Sequence, residues 1–249
     1  FLISANGIIP ENKNDKPKFN VLEGVYDEQD PGIFSHMMIK EIHDQPMALS
    51  NVLSGRISST GSSAKLNGFT LTPREIQNLD KINLVGCGSA YYASKIMAEY
   101  IRRYSKVPVE SFRGSEFPAL YTCSNNTLTI GLTQSGETKD TLDALLEAKK
   151  HGSHVGSICN VIGSTIARLT GNGAYLYAGP EYAVASTKVY TNMIAVGLLF
   201  ALTISEMCGK EKSLIASELR KIPNMMTQQL LEDDGSIDEA VDLISDKGA

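Results

Sequence analysis

Residues 133–138 read Thr-Gln-Ser-Gly-Glu-Thr and follow directly on the apolar run Thr127–Leu132. Thr133, Ser135 and Thr138 bring hydroxyl donors and Gln134 an amide, while Gly136 lets the backbone turn tightly and approach a ligand. A helix starting near Thr138 adds free N–H groups and the positive end of its dipole. Such a set can wrap a phosphate monoester with neutral donors alone. A local reading of the same residues also exists: Ser135 or Thr138 caps the helix, and Glu137 sits where the dipole favours an acid. The whole cluster, placed straight after a buried strand, favours the anion.

Two further segments carry unusual polar content. In Gly-Cys-Gly-Ser-Ala (86–90), Gly88 and Ser89 suit a small ligand. The third glycine of a dinucleotide fingerprint is missing, and no acidic residue ends a second strand, so a nucleotide fits poorly. Cys87 is either a reactive thiol or a small packing residue, and with no histidine near it in sequence packing is favoured. In Glu-Tyr-Ala-Val-Ala-Ser-Thr-Lys (181–188), Ser186 or Thr187 can cap the apolar helix that follows. Lys188 in a first turn opposes the dipole and so requires a partner or a ligand, and Glu181 either is that partner or lines the site. His151 and His154 straddle Gly152 at a helix end and make no metal pair. His36 and His43 read as surface or interface residues, and Glu232, Asp233 and Asp234 as a solvated helix end.

These loops need a frame, and the segment from Lys81 to Gly179 supplies one. Strands are predicted at 82–86, 107–112, 127–132, 154–160 and 174–179, with helices at 89–104, 138–152 and 164–170 and a helical turn at 114–120. Strands alternating with helices, without hairpin signals, imply a parallel sheet covered on both faces. The expected class is α/β, a doubly wound, flavodoxin-like sheet of five strands with ligands at the carboxyl ends of its strands. Residues 10–32 are polar and proline-punctuated, like a linker or arm. Residues 34–53 have helical spacing and predict two short helices meeting at Pro46, and the tail from Ser186 is helical, interrupted at Pro223.

Bulk properties narrow the function. A net charge of −5 gives a nucleic-acid partner no electrostatic support. The cysteines Cys87, Cys123, Cys159 and Cys208 are scattered, which argues against a disulfide framework or zinc site and fits a reducing cytoplasm. No signal peptide opens the sequence, and the apolar run 193–204 is too short to span a bilayer, so no membrane partner is expected.

Taken in order, "HMMIKEIHDQPMALSNVLSGRI", "VGCGSAYYAS", "TQSGETKDTLDALLEAKKHG", "CNVIGSTIAR" and "AGPEYAVASTKVYTNM" resemble the first sugar isomerase (SIS) domain of the glucosamine 6-phosphate synthase family, the isomerizing glutamine–fructose-6-phosphate aminotransferases. The resemblance runs from about residue 30 to the end, and residues 1–30 look like the last strand of that family's glutaminase domain and the linker out of it. It implies a division into 1–32 (glutaminase end and linker), 33–208 (first SIS domain) and 209–249 (helices leading to a second). It also implies a homodimer, no metal or redox cofactor, and a segment that binds fructose 6-phosphate or glucosamine 6-phosphate while the catalytic groups lie in other parts of the enzyme. Carried over position by position, Thr133, Gln134, Ser135 and Thr138 hold the phosphate, and Cys87, Gly88, Ser89, Val184 and Ser186 approach the sugar.

The sequence departs from the family pattern in places. Cys-Gly-Ser-Ala stands where Cys-Gly-Thr-Ser is usual, so Ala90 lacks a hydroxyl that would reach the phosphate. Thr133 replaces a frequent serine, and Pro180 and Ala183 stiffen the third loop. Two alternatives share the SIS loops: a glutaminase-free sugar-phosphate deaminase or deglycase, and a regulatory SIS module that senses a sugar phosphate. Nothing basic or helix-turn-helix-like supports the second.

Overall fold

The computed structural model describes residues 2–4, 7–9, 30–120, 123–210, 214–232 and 235–245. Strands β1 (Leu2–Ser4) and β2 (Gly7–Ile9) pair antiparallel in a unit of their own, Phe1–Asp30. Of the linker expected at 10–32, only its last three residues are described.

In the unit Pro31–Ala249, helices α1 (Met37–Leu53) and α2 (Pro73–Gln77) precede the alternating section. That section runs β3 (Lys81–Gly86), α3 (Ser89–Tyr104), β4 (Val109–Arg113), α4 (Phe117–Leu120), β5 (Thr127–Thr133), α5 (Lys139–Lys150), β6 (His154–Cys159), α6 (Thr165–Thr170) and β7 (Gly173–Tyr175). Helices α7 (Lys188–Met207), α8 (Ile215–Leu219), α9 (Ile222–Leu231) and α10 (Ser236–Ser245) follow. The five strands β3 to β7 lie in the order β4-β3-β5-β6-β7, all parallel. This is the flavodoxin-like order, and its direction reverses between β3 and β5. The loops leaving those two strands therefore stand side by side.

Both faces of the sheet are apolar, as a covered parallel sheet requires. Ile82, Leu84, Leu128, Ile130 and Leu132 join a large core with α1, α3 and α7, while Val85 packs with Phe117, Ala144 and Ala148. Helix α7 is 20 residues long, well beyond the 193–204 run, and apolar enough by length and composition to cross a membrane. Two thirds of it is buried within the domain against its neighbours, so it serves as the core helix.

Two expectations are corrected. Residues 37–53 form one helix rather than two. Pro46 has no N–H to give the Ile42 carbonyl, and the Gln45 side-chain amide takes its place at 3.2 Å. Strand β7 ends at Tyr175 instead of 179, because Tyr177 and Gly179 adopt left-handed backbone angles (φ 49° and 71°) that leave the ladder. The helical tail is interrupted at Pro223 as expected: α8 ends at Leu219, and Pro223 stands in the first turn of α9, where a residue lacking an N–H is tolerated.

Candidate functional site

The first wall of the site is the loop after β5. Thr133 is 2% exposed, and its hydroxyl accepts from the Gly136 N–H at 3.2 Å and shares a hydrogen bond with the Thr138 hydroxyl at 3.0 Å. With Thr133 as donor in that pair, the Thr138 hydrogen is left for the cavity. The Ser135 hydroxyl accepts from the Glu137 N–H at 3.1 Å and keeps its own hydrogen to give. Thr138 occupies the N-cap position of α5 but makes no side-chain cap bond, so the local capping reading does not describe the loop. Glu137 turns away and accepts from the Thr165 N–H at 2.8 Å, at the start of α6. That bond to the Thr165 backbone holds its carboxyl below the usual range.

Gly136 makes this loop possible. Its φ is +68°, and a Cβ there would lie 1.9 Å from Ser164 Oγ. The loop is also tied from behind, by Asn160 N–H to the Gln134 carbonyl (3.2 Å) and Ile166 N–H to the Gly136 carbonyl (2.9 Å).

The loop after β3 forms the second wall. Gly86 allows α3 to sit on the strand end, since a Cβ would lie 2.8 Å from the Ala90 backbone. Gly88 and Ser89 are exposed, and α3 starts without a side-chain cap. Cys87 Sγ lies 3.6 Å from Thr141 Oγ1 in the first turn of α5.

Residues 178–187 form a strap across the third side. Asn160 fixes its start: its Oδ1 accepts from Ala178 N–H (3.0 Å) and its Nδ2 donates to the Gly179 carbonyl (2.7 Å). Glu181 caps α7, accepting from the N–H groups of Thr187 (2.9 Å) and Val189 (3.2 Å) and from the hydroxyls of Ser186 (2.8 Å) and Thr187 (3.3 Å). Thr187 stands at the N-cap position, but neither its side chain nor that of Ser186 caps the helix. Glu181 is also not the partner of Lys188, which is 5% exposed and pairs with Asp44 of α1 at 3.4 Å. Glu181 was already engaged by the helix end, and Asp44 presents its carboxylate from the packed neighbour.

The three walls enclose a cavity of about 220 Å³. Cys87, Ser89, Thr133, Gln134, Ser135, Thr138, Val184 and Ser186 all line it, and Gly88 lies in the same loop as Cys87 and Ser89. Ala90, Leu132, Glu181, Ala183 and Met193 complete the lining. No Lys, Arg or His side chain is among these residues, and the single carboxylate already accepts four hydrogen bonds. The arrangement is a neutral-donor pocket at the head of α5, suited to an anion with a polyhydroxyl body. Asn160, Glu41 and Asp44 were not among the sequence candidates. Their signal was only that they lie in quoted motifs, without a role. The thiols of Cys123, Cys159 and Cys208 are all pushed up by burial, and the described cysteines are unpaired. No cluster able to hold a metal ion occurs among the described residues.

Comparison with known proteins gives a consistent picture. The SIS domain family matches residues 75–203. The isomerizing glutamine–fructose-6-phosphate aminotransferase of Clostridium acetobutylicum is 37% identical over 228 residues, which take in 88% of this chain and 37% of that protein. The enzyme of the same name from Caldanaerobacter subterraneus subsp. tengcongensis is 41% identical over 206 residues, 81% of this chain and 34% of that one. Among solved structures, the C-terminal domain of glucosamine-fructose-6-phosphate aminotransferase from Francisella tularensis aligns with a TM-score of 0.71 at 29% identity, covering 79% of this chain and 56% of that chain. The chain spans about a third of the length of the curated relatives it matches.

Proposed function

This chain belongs to the SIS domain family, and from that membership we propose that it is the first sugar isomerase domain of a glutamine–fructose-6-phosphate aminotransferase, holding the substrate by its phosphate. The whole enzyme converts fructose 6-phosphate and glutamine-derived ammonia to glucosamine 6-phosphate and glutamate. Ring opening, imine formation and proton transfer between C1 and C2 are the steps this requires.

The residues of this chain contribute binding and orientation. Ser135 and Thr138 donate hydroxyl hydrogens to the phosphate, and the first N–H groups of α5 add their dipole. Thr133 supports Thr138 from behind. Neutral donors hold a dianion less tightly than a guanidinium fork does, which suits an enzyme that must release a phosphorylated product. The Ser186 hydroxyl gives its hydrogen to Glu181, so it offers the sugar an acceptor. Glu181 is held by its four partners and is not a free base for C1 or C2. Proton transfer is therefore assigned to groups outside this lining, and the chain binds without turning over. A homodimer and a cytoplasmic location belong to the same proposal: exposed Met38 and Met47 on α1 and Ile237, Val241 and Ile244 on α10 leave apolar surface for association.

The observation that carries the reading is the convergence of hydroxyls from three separate loops on one cavity without a basic side chain. Calorimetric titration with fructose 6-phosphate and glucosamine 6-phosphate tests it. Both sugars bind with one site per chain, and unphosphorylated fructose does not. Absence of heat from either phosphate at about millimolar concentration, with the chain folded, contradicts it.

A further inference from the structure

One face of α1 sends polar groups across to the strap and to α7, and phosphate binding leaves them unused. Gln45 Oε1 accepts from the Thr191 hydroxyl at 2.6 Å, and the Ala48 carbonyl accepts from Asn192 Nδ2 at 2.9 Å. These two, with Asp44 and Lys188, anchor the helix. Glu41 reaches the strap itself. It is 1% exposed, and its carboxylate accepts from the N–H of Tyr182 at 2.6 Å and from that of Ala183 at 3.2 and 3.3 Å.

A carboxylate is an expensive group to bury, and an apolar side chain of similar volume on α1 would pack there without that cost. What the carboxylate supplies and an apolar group cannot is two directed bonds to consecutive peptides. Those peptides immediately precede Val184, and Ala183 and Val184 line the cavity while Glu41 does not. The contact therefore sets where the sugar-facing wall stands relative to the phosphate loop.

We infer that Glu41 is a positioning residue for the sugar: the geometry of its two backbone bonds fixes the Tyr182–Ser186 strap over the Ser135–Thr138 loop, without touching the ligand. The inference rests on the sugar-phosphate reading above. It predicts a selective effect. The phosphate loop is held by Thr133, Asn160 and Ile166, none of which depends on Glu41, so phosphate recognition survives its loss.

The experiment titrates the 249-residue chain and its Glu41→Ala, Glu41→Asp and Glu41→Gln variants with fructose 6-phosphate and, separately, with inorganic phosphate. Glu41→Ala weakens fructose 6-phosphate about tenfold and leaves inorganic phosphate within about twofold. Glu41→Asp, one methylene short, behaves like the alanine variant despite keeping its charge. Glu41→Gln retains the Oε1 acceptor and stays within about threefold of the parent for both ligands. Unchanged sugar-phosphate affinity in the alanine and aspartate variants overturns the inference. So does an equal loss for both ligands, which marks general loosening. Should the alanine variant fail to fold, the aspartate and glutamine pair decides. Failure of the parent chain to bind fructose 6-phosphate overturns the proposed function itself and the inference with it, and is seen before any variant is made.

Discussion

Replacing Gly136 by alanine perturbs the phosphate loop at its tightest point. Two costs add. A left-handed backbone at φ +68° costs an L-residue roughly 1–2 kcal/mol. The new methyl would also lie 1.9 Å from Ser164 Oγ and 2.4 Å from Ser164 Cβ. Rotating the serine side chain relieves the first contact but not the second, so the backbone must shift, at roughly 1–3 kcal/mol for an overpacked site. The shift pulls on Ile166 N–H to Gly136 and Thr165 N–H to Glu137, the bonds that tie the loop to α6. The sum, roughly 2–5 kcal/mol, corresponds to a fall in Tm of roughly 5–15 °C for a chain of this size. Thermal melts followed by circular dichroism read it, with fructose 6-phosphate titration alongside. A second substitution, Ser164→Gly, removes the colliding Cβ and should restore about half of the loss while leaving the backbone term. A Gly136→Ala Tm within about 1 °C of the parent, or no recovery in the double variant, would refute the steric argument.

Other outcomes follow from the same bonds. Asn160→Ala deletes two side-chain bonds to the strap and should cost about 1–3 kcal/mol in denaturant unfolding while weakening fructose 6-phosphate binding; a neutral result on both contradicts its bridging role. The Glu137 carboxyl is depressed chiefly by its bond to the Thr165 backbone, so its contribution is present above the ordinary carboxylate range and disappears as pH falls through the folded-state value. Glu137→Gln should therefore flatten the acid side of a Tm-versus-pH profile relative to the parent, and an identical profile removes that role. Cys87 lines the cavity, whereas Cys159 is buried with its thiol pushed up. Alkylation followed by mass spectrometry should show Cys159 unmodified in the native chain and Cys87 protected by fructose 6-phosphate; equal labelling of Cys87 with and without ligand counts against the site.

The alternating core was legible because its elements are strongly periodic and have short connections. The helix Ser89–Tyr104 falls where its apolar spacing placed it, and the run Thr127–Leu132 is the central strand. Local chemistry misled where another side chain supplied the missing partner. Pro46 read as a break, yet Gln45 satisfies the carbonyl that proline leaves open. Of the two roles open to Glu181, lining the site holds and pairing with Lys188 does not: it caps α7 while Asp44, 144 residues before Lys188, takes the lysine. The loops of the candidate site were visible as concentrations of hydroxyls and glycine after apolar strands. Their supports were not, because Glu41 and Asn160 work through backbone groups 141 and 18 residues away, and such pairings leave no mark on local spacing.

The central claim is that uncharged donors at the switch point of the sheet hold the phosphate of a sugar phosphate. A crystal structure of the chain grown with fructose 6-phosphate tests it most directly. The phosphate is expected within hydrogen-bonding distance of the Ser135 and Thr138 hydroxyls, with the sugar directed toward Val184 and Ser186. Phosphate density against the basic groove of Lys81, Arg102 and Lys106 at the other end of the strands, with the Ser135–Thr138 loop empty, would contradict it.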